Sequence, residues 1–238
     1  SLASASADGR ADAWWNETTG PAVNVNGTYT PIVGDFASTN SGDDIIWYAP
    51  GSTLEQVWVW DGTGGFAKQK LNQQVTGTYT PVVGNFGGNA LDDILWYGPG
   101  TAPDVLWIAT ASHTFSAKAV AINGTYRPVV IDDETGLDEL LWKPTSGTSG
   151  SLWKFGADGS HTTTAVGVPA GTTAIVGHFA TETGCGDVFL YGPGTTPDTL
   201  WDLDCAGHIT AAPQTVNGTF TPVVQDFTPT DTLWDDIL

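Results

Sequence analysis

Short apolar runs recur along the chain, and turn residues bound each of them. Pro81–Phe86 is apolar and β-branched, Asp93–Tyr97 follows a Gly/Asn turn, Gly98-Pro99-Gly100 marks a tight loop, Val105–Ala109 is a further run, and Phe115–Ile122 alternates. Runs of this length read as strands, and the Gly, Pro and Asn clusters between them read as turns. Asn123-Gly124 closes this set, as Asn26-Gly27 and Asn217-Gly218 punctuate others. Asn-Gly favours positive φ and hence a sharp turn. No window of helical length keeps a 3.6-residue period, so no amphipathic helix is expected.

The pattern is a repeat. Gly27-Thr28-Tyr29-Thr30-Pro31 returns as Gly77-Thr78-Tyr79-Thr80-Pro81, Gly124-Thr125-Tyr126-Arg127-Pro128 and Gly218-Thr219-Phe220-Thr221-Pro222, with a worn copy at Gly171-Thr172-Thr173-Ala174. From Gly to Gly the spacings are 50, 47, 47 and 47. A second element, Asp-Asp-Ile-Leu-Trp or close to it, occupies Asp43–Trp47, Asp92–Trp96, Asp138–Trp142, Gly186–Leu190 and Asp235–Leu238. A third carries Trp15, Trp58, Trp107, Trp153 or Trp201. Four strands per repeat of this length predict the blade of a β-propeller.

Both ends fall inside a repeat: third- and fourth-strand patterns (Asp12–Asn16, Ala22–Val25) open the chain, and first- and second-strand patterns (Thr221–Phe227, Asp236–Leu238) close it. The expected fold is therefore all-β, a five-bladed β-propeller of four-stranded antiparallel blades, with one blade shared between the N- and C-terminal strands. Such closure leaves no free sheet edge. The propeller is expected over residues 8–238, with repeats starting near 27, 77, 124, 171 and 218, and residues 1–7 as a linker or processed N-terminus.

Composition narrows the function. The 238 residues carry 26 Asp and Glu against 7 Lys and Arg, a formal charge of −19. Phosphates would be repelled, which argues against nucleic acid. No apolar run approaches the ~18 residues of a membrane helix, and no polybasic stretch could dock on anionic lipid. Eleven Trp and an 11% aromatic content argue against disorder.

The run Val83-Gly84-Asn85-Phe86 through Asp92-Asp93-Ile94-Leu95-Trp96-Tyr97-Gly98-Pro99-Gly100, and its counterpart Val33-Gly34-Asp35-Phe36 with Asp43-Asp44-Ile45-Ile46-Trp47-Tyr48-Ala49-Pro50-Gly51, resemble the FG-GAP/VCBS repeat family. The resemblance covers nearly the whole chain and is similar to secreted actinobacterial members. It implies a propeller of the integrin-like or propeller-lectin kind, or an accessory domain of a secreted protein. Family members often bind calcium through a D-x-[DN]-x-D-G-x-x-D loop between the first two strands, since hard cations take about six to eight oxygens. Every copy here departs from that loop: Ala37 in the first, Gly87 in the second, Gly136 in the third, His178 and Ala180 in the fourth, Thr228 and Thr230 in the fifth. The expectation is no cofactor, with Asp35, Asp132 and Asp226 the positions that any residual calcium would use. Otherwise these residues cap turns. If the first strand is innermost, Asp35, Asn85, Asp132, His178 and Asp226 ring one end of the channel.

The five repeated Trp fit packing between blades. Trp14, Trp60 and Trp234 lie off the repeat positions, and Tyr29, Tyr79, Tyr126 and Phe220 share one place in the crossing segment. These seven are the candidate ligand-binding residues, since an aromatic face can stack on a pyranose. Repeated clefts would add avidity. Cys185 and Cys205 flank a predicted hairpin in which Tyr191 faces Thr199 and Phe189 faces Trp201; extending that register places the two Cys opposite each other and predicts a disulfide. No nucleophile elbow, zincin helix or P-loop is present, and there are no catalytic candidates among the five Glu (Glu17, Glu55, Glu134, Glu139, Glu182).

The expected function is an extracellular, secreted, non-catalytic binding module for a glycan or glycoconjugate. The alternative is a structural or protein-interaction propeller of a larger secreted protein, with another extracellular protein as partner.

Overall fold

The computed structural model describes residues 12–13, 22–23, 25, 27–37, 42–51, 55–62, 65–110, 113–133, 136–180, 185–225, 227 and 235–238. The chain divides into two compact units, Ser1–Asn123 and Gly124–Leu238. Among the described residues every regular element is a strand, and no helix is long and apolar enough to cross a membrane.

The first unit opens with a short ladder, β1 (Asp12–Ala13) against β2 (Ala22–Val23). Two four-stranded antiparallel meanders follow. One is β3 (Thr30–Gly34), β4 (Asp44–Tyr48), β5 (Gln56–Trp60) and β6 (Phe66–Lys70); the other is β7 (Thr80–Gly84), β8 (Asp93–Tyr97), β9 (Asp104–Thr110) and β10 (Thr114–Val120). The second unit holds two more such sheets. They are β11 (Tyr126–Ile131), β12 (Glu139–Pro144), β13 (Ser149–Phe155) and β14 (His161–Gly167), then β15 (Thr173–Gly177), β16 (Asp187–Tyr191), β17 (Asp198–Leu203) and β18 (Ile209–Gln214). It closes with β19 (Val224–Gln225) paired to β20 (Asp236–Ile237).

Burial follows strand rank. The second strands β8 and β16 are buried throughout, while the fourth strands β6 and β14 are largely exposed. The first strands of neighbouring sheets run beside each other, β3 with β7 and β11 with β15. Between the sheets of the first unit, Ile32, Phe36, Ile46, Ile94, Trp96, Trp107 and Phe115 form the core. In the second unit Ile131, Leu141, Leu152, Val188, Leu190 and Trp201 do the same. The third-strand Trp residues Trp58, Trp107, Trp153 and Trp201 are all buried. Three of them meet a second-strand Trp edge-on: Trp47–Trp58 at 5.2 Å, Trp96–Trp107 at 5.1 Å and Trp142–Trp153 at 5.2 Å between centroids. Edge-on pairing suits the ring quadrupole and adds to area burial.

Several strands stop earlier than their hydrophobic runs, because carboxylates take the next backbone N–H. Asp93 accepts from Phe86 N at 2.8 Å and from Ala109 N at 2.8 Å, so β7 ends at Gly84 rather than at Phe86. Asp104 accepts from Gly98 N at 2.8 Å and Ile122 N at 2.9 Å, which ends β10 at Val120. Asp44 (Phe36 N, 3.1 Å; Trp60 N, 2.9 Å), Asp187 (Phe179 N, 2.7 Å; Leu203 N, 3.2 Å) and Asp198 (Gly192 N, 2.7 Å; Val216 N, 2.7 Å) repeat these clasps. Buried N–H groups need acceptors. Five of the 26 acidic side chains thus act as internal bolts.

The hairpin expected around the cysteines is shifted by one residue. Val188, not Phe189, faces Trp201, and Leu190 faces Thr199. The Asp187 carboxylate receives Leu203 N, where the expected register paired Asp187 with Leu203 strand to strand. All four sheets share this offset, with Ile45 opposite Trp58, Ile94 opposite Trp107 and Leu140 opposite Trp153. The disulfide forms nonetheless, with Cα atoms 5.4 Å apart. Cys185 lies before β16 and bridges to Asp133, while Cys205 sits in the β17–β18 turn closed by Gly207 N to Asp204 O. Both lie outside the ladder, so its register does not govern their pairing.

Candidate functional site

Within a single unit, one repeat meets the next where the end of its second strand approaches the segment at the following Gly-Thr-Tyr place. Three such junctions lie within single units. From the first repeat to the second, the Tyr48 hydroxyl donates to Gly77 O at 2.8 Å and accepts from Tyr79 N at 2.9 Å. Burial pushes the Tyr48 pKa up. The Tyr79 ring packs on the unit core and lies over Gly77, where a Cβ would approach it to 2.7 Å. Glycine is required there by the ring two residues on. At Gly27, Gly124 and Gly218 the same ring contact coincides with φ of +128°, +141° and +133°.

From the fourth repeat to the fifth, the same hydroxyl bridge recurs: Tyr191 Oη donates to Gly218 O at 2.9 Å and accepts from Phe220 N at 2.7 Å. Here the ring is 59% exposed. It borders an apolar cleft of about 300 Å³ with Ile175, Phe189, Tyr191, Pro222 and Leu238.

From the third repeat to the fourth, both aromatic groups are replaced. Sheet register places Lys143 opposite Arg127, where Tyr48 faces Thr30, Tyr97 faces Thr80 and Tyr191 faces Thr173. Because Thr173 faces Tyr191, the fourth copy is displaced by one residue from the alignment on Gly171. Thr172 holds the tyrosine place and Ala170 the glycine place. With no ring above it, that place does not need glycine. Thr172 is buried and donates to Pro169 O at 2.8 Å. A polar cleft of about 250 Å³ opens here, bordered by Arg127, Lys143, Thr145, Ser146, Thr172 and Thr173.

The candidate aromatics are placed as follows. Tyr29 packs on Val25, Ile45 and Trp58 and meets Trp47 edge-on at 6.4 Å. Tyr126 meets Trp142 at 5.9 Å. Trp60 meets Phe66 at 5.5 Å and crowds Gly42, where a Cβ would sit 2.3 Å from its ring. Trp14, Trp234 and Asp226 lie outside the described residues. Sequence reasoning did not single out Arg127 and Lys143; the signal was a Thr and a Tyr of the repeat both changed to cations.

At the candidate metal positions Asp35 and Asp132 it is the main chain that the next repeat binds, and the Asp35 carboxylate accepts from Ala37 N at 3.4 Å. Asp92 Oδ2 accepts from Asp35 N at 2.8 Å while Asp92 N donates to Asp35 O at 2.7 Å, joining first and second repeats. Asp235 repeats both bonds on His178, at 3.0 and 2.7 Å. Gly186 N donates to Asp132 O at 2.8 Å. In the second and fifth repeats the first residue of the Asp-Asp pair, Asp92 or Asp235, thus reaches back one repeat, while the second, Asp93 or Asp236, clasps its own. Among the described residues, the one group of three ligand-type atoms is Asp133 with Cys185 and Cys205, whose sulfurs are bonded to each other.

In the third repeat Glu139 replaces the clasping Asp. It is buried, and its Oε1 has no hydrogen-bond partner. Burial raises its pKa to about 7, against the pull of the Lys154 ammonium. Lys154 Nζ itself donates to Cys205 O.

Comparison with known proteins finds no matching family model, no matching curated protein and no matching solved structure.

Proposed function

We propose that this chain is a five-bladed β-propeller of the FG-GAP/VCBS kind that works as an extracellular, non-catalytic carbohydrate-binding module, with ligands held in clefts between repeats. The observation that carries the reading is the pair of junction clefts in the second unit, at one place in two successive repeats. The exposed Phe220 ring offers a stacking face in one of them. The disulfide and the want of a membrane-crossing helix among the described residues accord with an extracellular protein.

For the architecture, support comes from the meander order, the burial gradient from second to fourth strands, and first strands running side by side. On this reading the N- and C-terminal strands share one blade. Removing residues 232–238 should then lower the unfolding midpoint and broaden the transition. Melting like the parent chain would exclude the shared blade.

A glycan array read with and without EDTA tests the function, followed by Phe220→Ala on any retained glycan. Retention that Phe220→Ala weakens supports the cleft; an array with no retained glycan sinks the carbohydrate reading. The protein-interaction alternative is favoured by one feature, the exposed apolar group Val223, Phe227, Ile237 and Leu238.

A further inference from the structure

We propose that the cleft between the third and fourth repeats is an oxyanion-binding site that receives the carboxylate or sulfate group of an acidic saccharide. The saccharide rests on the carbohydrate reading above; the anion does not. Arg127 and Lys143 stand directly opposite each other on β11 and β12. Like charges so placed destabilise an antiparallel pair. The chain has only 7 cationic side chains against 26 carboxylates, yet among the described residues neither of these two is ion-paired. Other lysines are engaged: Lys68 lies 4.0 Å from the Trp58 ring centroid and Lys154 donates to Cys205 O. Desolvation, then the charge of Arg127, holds the Lys143 ammonium below its ordinary pKa. An unpaired cation pair of this kind gains from an anion placed between its members.

The cleft supplies the rest of the chemistry. No Asp or Glu borders it, and Thr145, Ser146 and Thr173 add hydroxyls. A guanidinium fork matches the two oxygens of a carboxylate or sulfate, and the ammonium adds a mobile point charge. At about 250 Å³ the cleft is smaller than the ~300–1,000 Å³ of sites that engulf a drug-sized ligand. It suits one charged group rather than a whole oligosaccharide. The junction from first to second repeat shows the alternative: there a tyrosine hydroxyl and a tyrosine ring occupy the corresponding places.

The test is calorimetric titration of the full chain with sodium sulfate, sodium D-glucuronate and D-glucose, at ionic strength matched with sodium chloride. Sulfate and glucuronate should bind in the millimolar range. The double variant Arg127→Thr with Lys143→Tyr, which carries the residues of the sister sheets, should bind both at least about tenfold more weakly, as expected for losing one charge-assisted bond or more. Arg127→Gln, which keeps the lysine, serves as a second variant and should fall between. Absence of heat with both anions overturns the site, as does equal binding by parent and both variants. If sulfate binds through Arg127 and Lys143 while no saccharide is retained, the oxyanion site stands and the carbohydrate reading fails. If neutral saccharides bind and neither anion does, the site fails and the carbohydrate reading stands.

Discussion

The junction between the first and second repeats and that between the third and fourth share one backbone register and carry opposite chemistry. In the first, Tyr48 bridges Gly77 O and Tyr79 N, and two aromatic rings fill the space. In the second, Lys143 and Thr172 stand in the same places, and a polar cleft takes the place of packing. Backbone pairing of β11 with β12 does not need the tyrosine, since Arg127 faces Lys143 as Thr30 faces Tyr48. A repeat can therefore give up its junction bolt without losing its sheet, and the freed site is open to a ligand. The clasping acids divide the same way. Asp93 is satisfied by two strong backbone donors, whereas Glu139 keeps an unpartnered oxygen.

The largest effect should break the comparison between those acids. Asp93→Ala leaves two buried backbone N–H groups without acceptors and should cost about 4 kcal/mol. Glu139→Ala should cost under about 1 kcal/mol, since removing a poorly satisfied buried carboxyl offsets the lost packing. Equal losses in chemical denaturation would show that the two acids do the same job. Next in size is the disulfide, found in the second unit. Replacing Cys185 and Cys205 by Ser should lower stability by roughly 3 kcal/mol, the chain-entropy value for a loop of this length. Two free thiols in non-reducing mass spectrometry would remove that prediction outright.

Smaller effects sharpen the junction comparison. Tyr48→Phe removes the hydroxyl bridge and should cost about 1.5 kcal/mol. Lys143→Phe breaks no bridge of that kind and should change stability by less than about 0.5 kcal/mol. A comparable loss in both would mean that Lys143 bolts its junction too.

The mildest expectation concerns pH. Burial raises Asp44 to about 6, and Asp93 and Glu139 to about 7. Each folded value exceeds the unfolded one near ~4. The folded chain therefore holds protons that the unfolded chain has released, and stability falls as pH rises from about 4 through about 7. The thermal midpoint should be higher at pH 5 than at pH 8, and Glu139→Gln should shrink the difference. A midpoint that rises over this range would reverse the assignment.

The repeat was legible because its elements recur with their chemistry intact. Asp-Asp-Ile-Leu-Trp, or a close variant of it, marks every second strand, and the Trp spacing marks the third. What the repeat could not show was register. An alignment on Gly171 misplaced the fourth copy by one residue, and only the pairing of Thr173 with Tyr191 put Thr172 in the tyrosine place. The cleft beneath it was invisible for the same reason. Residue type alone marks the aromatic candidates, yet Tyr29, Tyr126 and Trp60 each pack edge-on with a neighbouring ring.

By itself the sequence determined an all-β chain of four-stranded units, its acidity, its cysteine pair and its buried Trp positions. These follow from local alternation, turn residues and side-chain size, which act over a few residues. Tertiary structure decided where the carboxylates point, which junctions are filled and which are open, and that Arg127 and Lys143 stand together. Those depend on residues brought close from separate strands: a tyrosine hydroxyl finds its partner 29 residues on, and Asp92 finds Asp35 57 residues back. Contacts over such distances are set by sheet register, in which a shift of one residue turns every side chain to the other face.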